Sequence, residues 1–363
     1  MAHRRPTQSE VARLAGTSTA VVSYVLNNGP RPVSEETRNR VLAAIAHTGY
    51  RPNNLARALV SGKSAALGLI VPDLANPFLA QLAQCFEREF FERGYCLLVG
   101  DSQDDLEHEI AVVETMLRQQ VDGLVWYSVD QPPPLDVIAT SNVPAVILNA
   151  TESQRIQQKN AEAGRLICVA TDERAHAQMA TEHLISHGCT RIAHLGGPHT
   201  RLNSRERSRG WRDALRQAGL EPAGHCTAPF SREGGFAAAS TLSEFNPDGV
   251  VVGNEMQAIG LLAALAGAGI SIPDDIAIIA LNGTDGAEFT VPSLSAIHLS
   301  AQDLAHDVVE ALLGGNNTEN TGQKNNENEE SRTVAPVVAH AHLIGRASCG
   351  CNEKYEDTNE YRD

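Results

Sequence analysis

The sequence predicts an α/β protein: a small all-helical head followed by a larger, two-lobed body built on parallel sheets. Three observations lead there. Charge is unevenly distributed, with nine Lys/Arg against three Glu in residues 1–63, although the whole chain of 363 residues has a net charge of −15. The head shows three short helical patterns, each bounded by capping residues. From Ala65 onward, short apolar runs alternate with helix-length segments, the pattern of strands joined by crossover helices.

The head comes first. Thr7-Gln8-Ser9-Glu10 has the form of a capping box and opens a helix through Ala15, with Gly16 as the turn residue. Ser18 suits the N-cap of a second helix, Thr19 to Asn27. Ser34 caps a third, with Glu35 and Glu36 in its electropositive first turn and Gly49 as its stop. At roughly 100° per residue, Thr19, Ala20, Ser23, Tyr24 and Asn27 share one arc of the second helix. Val21, Val22, Val25 and Leu26 occupy the other. The apolar arc can pack on its neighbours, and the thin polar arc can enter a major groove. A plain three-helix bundle with a solvated polar face fits the wheel equally well. The local balance of +6, against −21 for the remainder, favours a head that grips phosphates.

The remaining composition excludes several classes. No run of 18 apolar residues exists, so no membrane span is expected. Met1 to Glu10 is basic and polar and lacks the apolar core of a secretory signal. The seven cysteines are scattered and odd in number, as expected of reduced thiols in cytoplasm. Gly62-Lys63-Ser64 lacks the upstream glycine of a phosphate loop, since Ala58 stands there. No GxGxxG follows the first strand, and no catalytic constellation stands out. No enzyme activity and no cofactor are expected.

The head segments then resemble a known family. Val11-Ala12-Arg13-Leu14-Ala15-Gly16-Thr17-Ser18, Val22-Ser23, Val25-Leu26-Asn27, Val33-Ser34-Glu35-Glu36-Thr37-Arg38 and Gly49-Tyr50-Arg51-Pro52-Asn53 are similar, in order, to the helix-turn-helix head of LacI-type regulators. The resemblance implies base reading by Thr19, Ala20 and Tyr24, and phosphate contacts by Ser18, Ser23 and Asn27. It also implies a hinge helix over residues 53–63, with Asn53, Ala56 and Leu59 in the minor groove and Leu59 as the wedge that kinks the duplex. Two departures stand out: Tyr24 where the family has Arg, and Val21 where it has Thr. An operator half-site different from the common one is therefore expected.

In the body, strands are expected at Leu67–Val71, Cys96–Val99, Gly123–Tyr127, Ala145–Leu148, Ile167–Ala170, Ile192–Leu195, Gly249–Val252 and Ile276–Leu281. Helices are expected near 77–93, 106–119, 173–187, 204–218, 232–244 and 255–267. Val71-Pro72-Asp73, Asn76-Pro77-Phe78, Val121-Asp122-Gly123, Leu195-Gly196-Gly197-Pro198, Ser204-Arg205-Glu206-Arg207 and Ile272-Pro273-Asp274-Asp275 extend the resemblance. The implied fold is that of type I periplasmic binding proteins, with an effector cleft between lobes. The expected division is a head at 1–52, a hinge at 53–63 and a body at 64–346. Within the body, an N lobe takes 64–161 plus 293–315, and a C lobe takes 162–292 plus 333–346. Crossovers are expected near Ala161, near Val291 and within 316–332, a polar, low-complexity stretch. A strand resumes from Val334 to Ile344, and 347–363 reads as a disordered acidic tail.

The resemblance implies effector contacts from Phe78 and Phe230 as aromatic platforms and Arg207 as a charged clamp. Asn149, Asn203 and Asn282 would bind hydroxyls, and Asp101 is a further member. Asn282 replaces a usual Asp, and Glu255 replaces the Asp of an Asn-Asp pair. On that basis Arg207 is left less balanced, and an anionic sugar derivative would suit the pocket; pairing of Arg207 with a helix neighbour is the alternative. His183, His187 and the nearby Cys189 are read as ordinary helix-surface residues, Cys349 and Cys351 as lacking metal or redox spacing, and no metal site is assigned.

The resulting expectation is a DNA-binding transcriptional regulator, a repressor, acting as a homodimer on a pseudo-palindromic duplex under control of a sugar-like effector. Alternatives are a sugar-binding transport or sensor protein without DNA function, and an α/β enzyme carrying a helical bundle.

Overall fold

The computed structural model describes residues 6–27, 31–51, 62–127, 137–138, 141, 143–148, 166–169, 171–314, 341–351 and 355–357. The hinge residues Asn53, Ala56 and Leu59, and Asn149 of the expected cleft, lie outside them. The chain divides into two units, Met1–Ser64 and Ala65–Asp363.

The first unit holds α1 (Gln8–Ala15), α2 (Thr19–Asn27) and α3 (Glu35–Thr48). The capping box forms as the sequence reads: Glu10 N–H donates to Thr7 Oγ1 at 3.3 Å, and Thr7 N–H donates to the Glu10 carboxylate at 2.9 Å. Gly16 takes the left-handed conformation, φ 61°, which lets the chain turn sharply into α2. Gln8 Nε2 donates to Thr19 O at 3.0 Å and ties α1 to the start of α2. Val11, Ala12, Ala15, Val22, Val25, Val41 and Ala44 form the core, with Leu26 packed at its edge. Val21 does not join that core and is only half-buried. Val22 and Val25, with Leu26 at the edge, anchor α2, and Val21 does not.

In the second unit, the N lobe is a parallel five-stranded sheet ordered β2-β1-β3-β4-β5, from β1 (Ala66–Val71), β2 (Cys96–Asp101), β3 (Leu124–Tyr127), β4 (Ala145–Leu148) and β5 (Leu166–Cys168). Helix α4 (Pro77–Glu92) packs on one face through Leu82, Phe86 and Phe90, and α5 (Leu106–Arg118) packs on the other through Val113 and Met116. Both faces are covered, so the strands read as near-continuous apolar runs rather than alternating ones.

The C lobe contains β6 (Ile192–Gly196), β7 (Gly224–Thr227), β8 (Gly249–Val252), β9 (Ala277–Gly283), β10 (Ser295–Leu299), β11 (Ala341–Gly345) and β12 (Tyr355–Asp357). Their order is β12-β11-β10-β9-β8-β6-β7, with β11 and β12 antiparallel to their neighbours. Helices α6 (Glu173–Ser186) and α7 (Leu202–Gln217) cover one face around Trp211. Helices α8 (Arg232–Glu244) and α9 (Glu255–Gly267) cover the other. Close contact between α8 and α9 depends on glycine: a Cβ at Gly260 would lie 1.8 Å from Arg232 O.

Three expectations need correction. The first crossover falls after Cys168, since β5 pairs with β4 in the N-lobe sheet. The second falls near Ser300, since β10 pairs with β9 in the C lobe while α10 (Ala301–Gly314), with Leu299 just before it, returns to the N-lobe core. The third is bracketed by α10 and β11 and lies outside the described residues. The end of the chain is also not wholly unstructured. Ala347–Cys349 form a 3-10 turn, Ser348 Oγ donates to Ile278 O at 2.7 Å, and β12 pairs with β11. Burial of Ser348 and Cys349 against the C-lobe core holds this segment.

Candidate functional site

Each lobe is wound in the same way. Numbered from its own first strand, each has the parallel order 2-1-3-4-5, which switches winding direction between its first and third strands. Loops past the carboxyl ends of such strands diverge and leave a crevice. A cavity of about 410 Å³ lies there, lined by both lobes, within the size range of small-molecule sites.

The N lobe supplies Asp73 and Asn76 after β1, Asp101 at the end of β2 with Gln103 beyond it, and Tyr127 at the end of β3. Asn76 caps α4 by accepting from Phe78 N–H at 3.0 Å, and Pro77 begins the helix. Together they fix Phe78 at the cavity wall, though most of its ring is N-lobe core. Asp101 accepts from Leu74 N–H at 3.2 Å and Gln103 N–H at 2.8 Å, so its carboxylate also shapes the loops around it. Gln103, Asp104 and Asn282 line the cavity with φ of 55°, 58° and 52°. Left-handed backbone is uncommon for residues other than glycine and concentrates where function requires it.

The C lobe supplies the charged centre. Arg207, 2% exposed, donates from Nε to Glu173 Oε2 at 2.7 Å and from Nη1 to Gly253 O. Burial works against its charge, and the Glu173 carboxylate more than offsets this, so the guanidinium stays protonated. Asp172 caps α6 through Ala175 N–H at 2.9 Å, which places Glu173 in the first turn. Phe230 lies with its ring 5.7 Å from the Arg207 guanidinium. It rests on Gly197, where a Cβ would come within 2.1 Å of the ring. Buried Gln257 donates from Nε2 to Gly196 O, Ala228 O and Pro229 O at 3.0–3.1 Å, and so holds the loop that carries Phe230.

Six of the seven expected cleft residues, Phe78, Asp101, Asn203, Arg207, Phe230 and Asn282, line this one cavity. The argument for an anionic ligand loses its ground, because Glu173 balances Arg207. Glu255 is also engaged: its carboxylate accepts from Thr284 N–H at 2.6 Å and Thr284 Oγ1 at 3.1 Å. Sequence reasoning missed Glu173, Tyr127, Asn76 and Arg201. Helix-start acids after strands were the available signal for Glu173. Arg201 forms an ion pair with Asp104 across the cleft mouth. Among the described residues, buried Arg207 Nη2, Glu173 Oε1 and Asn282 Oδ1 show no hydrogen-bond partner.

In the head, Ser18, Thr19 and Ala20 are exposed, and Ser23 and Tyr24 are half-buried. Ser18 Oγ accepts from Val21 N–H at 3.3 Å and caps α2. Asn27 closes α2.

Residues 7–53 match the family described as "Bacterial regulatory proteins, lacI family", and residues 181–349 match "Periplasmic binding protein-like domain". The ribose operon repressor of Escherichia coli (strain K12) is 34% identical over 317 residues, covering 85% of this chain and 92% of that protein. The HTH-type transcriptional repressor PurR of Glaesserella parasuis serovar 5 (strain SH0165) is 29% identical, covering 94% of this chain and 98% of that one. A crystal structure of the lac repressor dimer bound to operator and the anti-inducer ONPF has the same fold, with a TM-score of 0.77 at 24% identity over 95% of this chain and 99% of that one. No helix among the described residues is long and apolar enough to cross a membrane. Given these matches in head and body, the chain belongs to the LacI family and is a DNA-binding transcriptional regulator controlled by a small-molecule effector.

Proposed function

We propose that this regulator is a homodimeric repressor that binds a pseudo-palindromic operator and responds to a neutral monosaccharide, with a pentose as the first choice. The observation that carries this reading is the cavity lining, in which Asp73, Asp101, Asn203 and Asn282 offer hydroxyl partners together with the aromatic ring of Phe230. The Arg207 guanidinium lies 5.7 Å from the Phe230 ring, and Asn282 lines the same cavity. A sugar hydroxyl both donates and accepts, and the apolar face of a sugar ring stacks on an aromatic one. Asp73 and Asp101 at the cavity edge add acceptors for hydroxyl groups. The ribose repressor among the relatives points to the same class.

On this reading the protein acts by binding and not by catalysis, in the cytoplasm where operator DNA is found. Ser18, Ser23 and Asn27 touch phosphates. Thr19, Ala20 and Tyr24 face base edges, with a tyrosine hydroxyl and ring in place of a bidentate arginine. Asn53, Ala56 and Leu59 serve the minor groove. Exposed Phe289 and Val291, at 82% and 90%, suit a subunit interface in the C lobe. The effector alters the relation of the lobes and hence the spacing of the two heads.

The test is operator binding by the purified full-length protein, followed by nuclease footprinting upstream of its own gene. Neutral pentoses should change operator affinity about tenfold, a usual coupling between sites. A response to purines alone, or to sugar acids and not to neutral sugars, would refute the proposed effector class. Equal binding to all duplexes would refute the head assignment.

A further inference from the structure

Far from the cleft, at the C-terminal end of α6, the fold gathers His183, His187, Cys349 and Cys351. We propose that these four side chains form a Cys2His2 site for Zn²⁺ or a similarly thiophilic divalent ion, which clamps the chain after β11 to α6.

The geometry carries this. A tetrahedral zinc with bonds of about 2.3 Å to sulfur and 2.0–2.1 Å to nitrogen sets its ligand atoms roughly 3.3–3.8 Å apart. Here His183 Nε2 lies 3.1 Å from Cys349 Sγ, and Cys349 Sγ lies 3.5 Å from Cys351 Sγ. Cys351 Sγ lies 3.7 Å from His187 Nε2 and 3.9 Å from His183 Nε2. All four ligand atoms fall within 4.8 Å of one another. Hydrogen bonding alone explains a His–Cys contact. It does not explain two thiols and two imidazoles converging on one point.

Local structure explains the convergence. His183 lies in the last turn of α6 and His187, four residues on, is its C-cap, so the two lie one turn apart on the same side. Between the cysteines, Gly350 adopts φ 94° and turns the chain so that Cys349 and Cys351 point the same way. Cys189, the thiol nearest in sequence, takes no part, and its Sγ lies 3.6 Å from Asp248 O. His183 and Cys349 are buried, whereas His187 is exposed and Cys351 half-buried, so the site has an inner wall and an open side for entry. Four protein ligands with no place left for substrate make a structural site rather than a catalytic one.

The experiment uses the untagged full-length chain, reduced and stripped with a chelator. Zn²⁺ is titrated in competition with a chromophoric chelator, and Co²⁺ is added in parallel as an optical probe. One equivalent should bind per chain, and Co²⁺ should show tetrahedral absorption with a thiolate charge-transfer band. Zn²⁺ should raise the melting temperature. His187→Gln and Cys351→Ser alter the open side, so both variants should fold. Each should weaken Zn²⁺ binding at least about a hundredfold, since loss of a supporting group alone costs ten- to a hundredfold. Cys85→Ser, in the N lobe, should change nothing. The proposal is overturned if the reduced protein takes up no Zn²⁺. It is equally overturned if the two open-side variants bind as well as the parent, or if Co²⁺ shows no thiolate band.

Discussion

The two lobes share one winding yet differ in what they bury. Among the described residues, the N lobe buries only Ser102 and Glu109 as polar side chains. The C lobe buries a connected polar interior that includes Glu173, His194, Arg207, Asn254, Glu255 and Gln257. In the N lobe the charged cleft residues Asp73 and Asp101 stay outside the core, at strand ends and in the loops after them. In the C lobe Arg207, Asn254, Glu255 and Asn282 line the cleft from buried positions. Fixed polar groups in a low-dielectric interior recognise a ligand sharply because they do not reorganise, and they destabilise the fold when left unmatched. Specificity should therefore reside in the C lobe and closure in the N lobe.

The largest effect should follow from breaking the central pair. Arg207→Leu leaves Glu173 buried without its cation, a loss of about 3–5 kcal/mol. Calorimetry should show the melting temperature falling by roughly 10 °C, at 2–4 °C per kcal/mol for a domain of this size. Adding Glu173→Gln should restore much of the stability but none of the effector response. A single variant as stable as the parent would erase the contrast between the lobes.

An effect smaller at any one pH unit, and reaching that size only near pH 3, concerns His194, fully buried on β6, with Nδ1 2.9 Å from Val251 O and its ring stacked on His225. Burial pushes its pKa down from 6.5 to about 3. The folded state thus holds the neutral ring while the unfolded chain takes up a proton below pH 6.5. Stability is complete above that pH and should fall by about 1.4 kcal/mol per unit as pH drops toward 3. Chemical denaturation at a series of pH values should show at least this slope, and His194→Gln should lower it by about one proton, leaving the share of His225, which burial holds down to about 4. An unchanged slope in that variant would remove His194 as its source.

The smallest effect belongs to the rim. Arg201→Ala removes the ion pair with Asp104 across the cleft mouth. Asp104 is 56% exposed, so stability should change by less than about 1 kcal/mol. Effector affinity should drop a few-fold through faster release, measurable by stopped-flow. A large loss of stability instead would show the pair to be part of the scaffold.

Much of this was legible beforehand, for identifiable reasons. Helices α8 and α9 have the expected bounds because Ser231 and Asn254 cap them and apolar periodicity fills them. The edge strand β7, Gly-His-Cys-Thr, gave no apolar run and was missed. Residues 293–315 are expected whole in the N lobe, but strand β10 within them, absent from the expected strands, joins the C-lobe sheet, because a short apolar run does not state which sheet it joins. Phe78, Phe230 and Arg207 were located from motif resemblance, but the carboxylate beside Arg207 was not.

By itself, then, the sequence determined whatever depends on near neighbours along the chain: caps, helix faces, the polar arc of α2 and the alternation of strand and helix. These follow from the backbone's own periodicities and from short-range hydrogen bonds. Only the tertiary structure decided which distant side chains meet. Glu173 reaches Arg207 across 34 positions and His183 reaches Cys349 across 166. Such pairs are set by how helices pack on a sheet, and no local pattern encodes that packing.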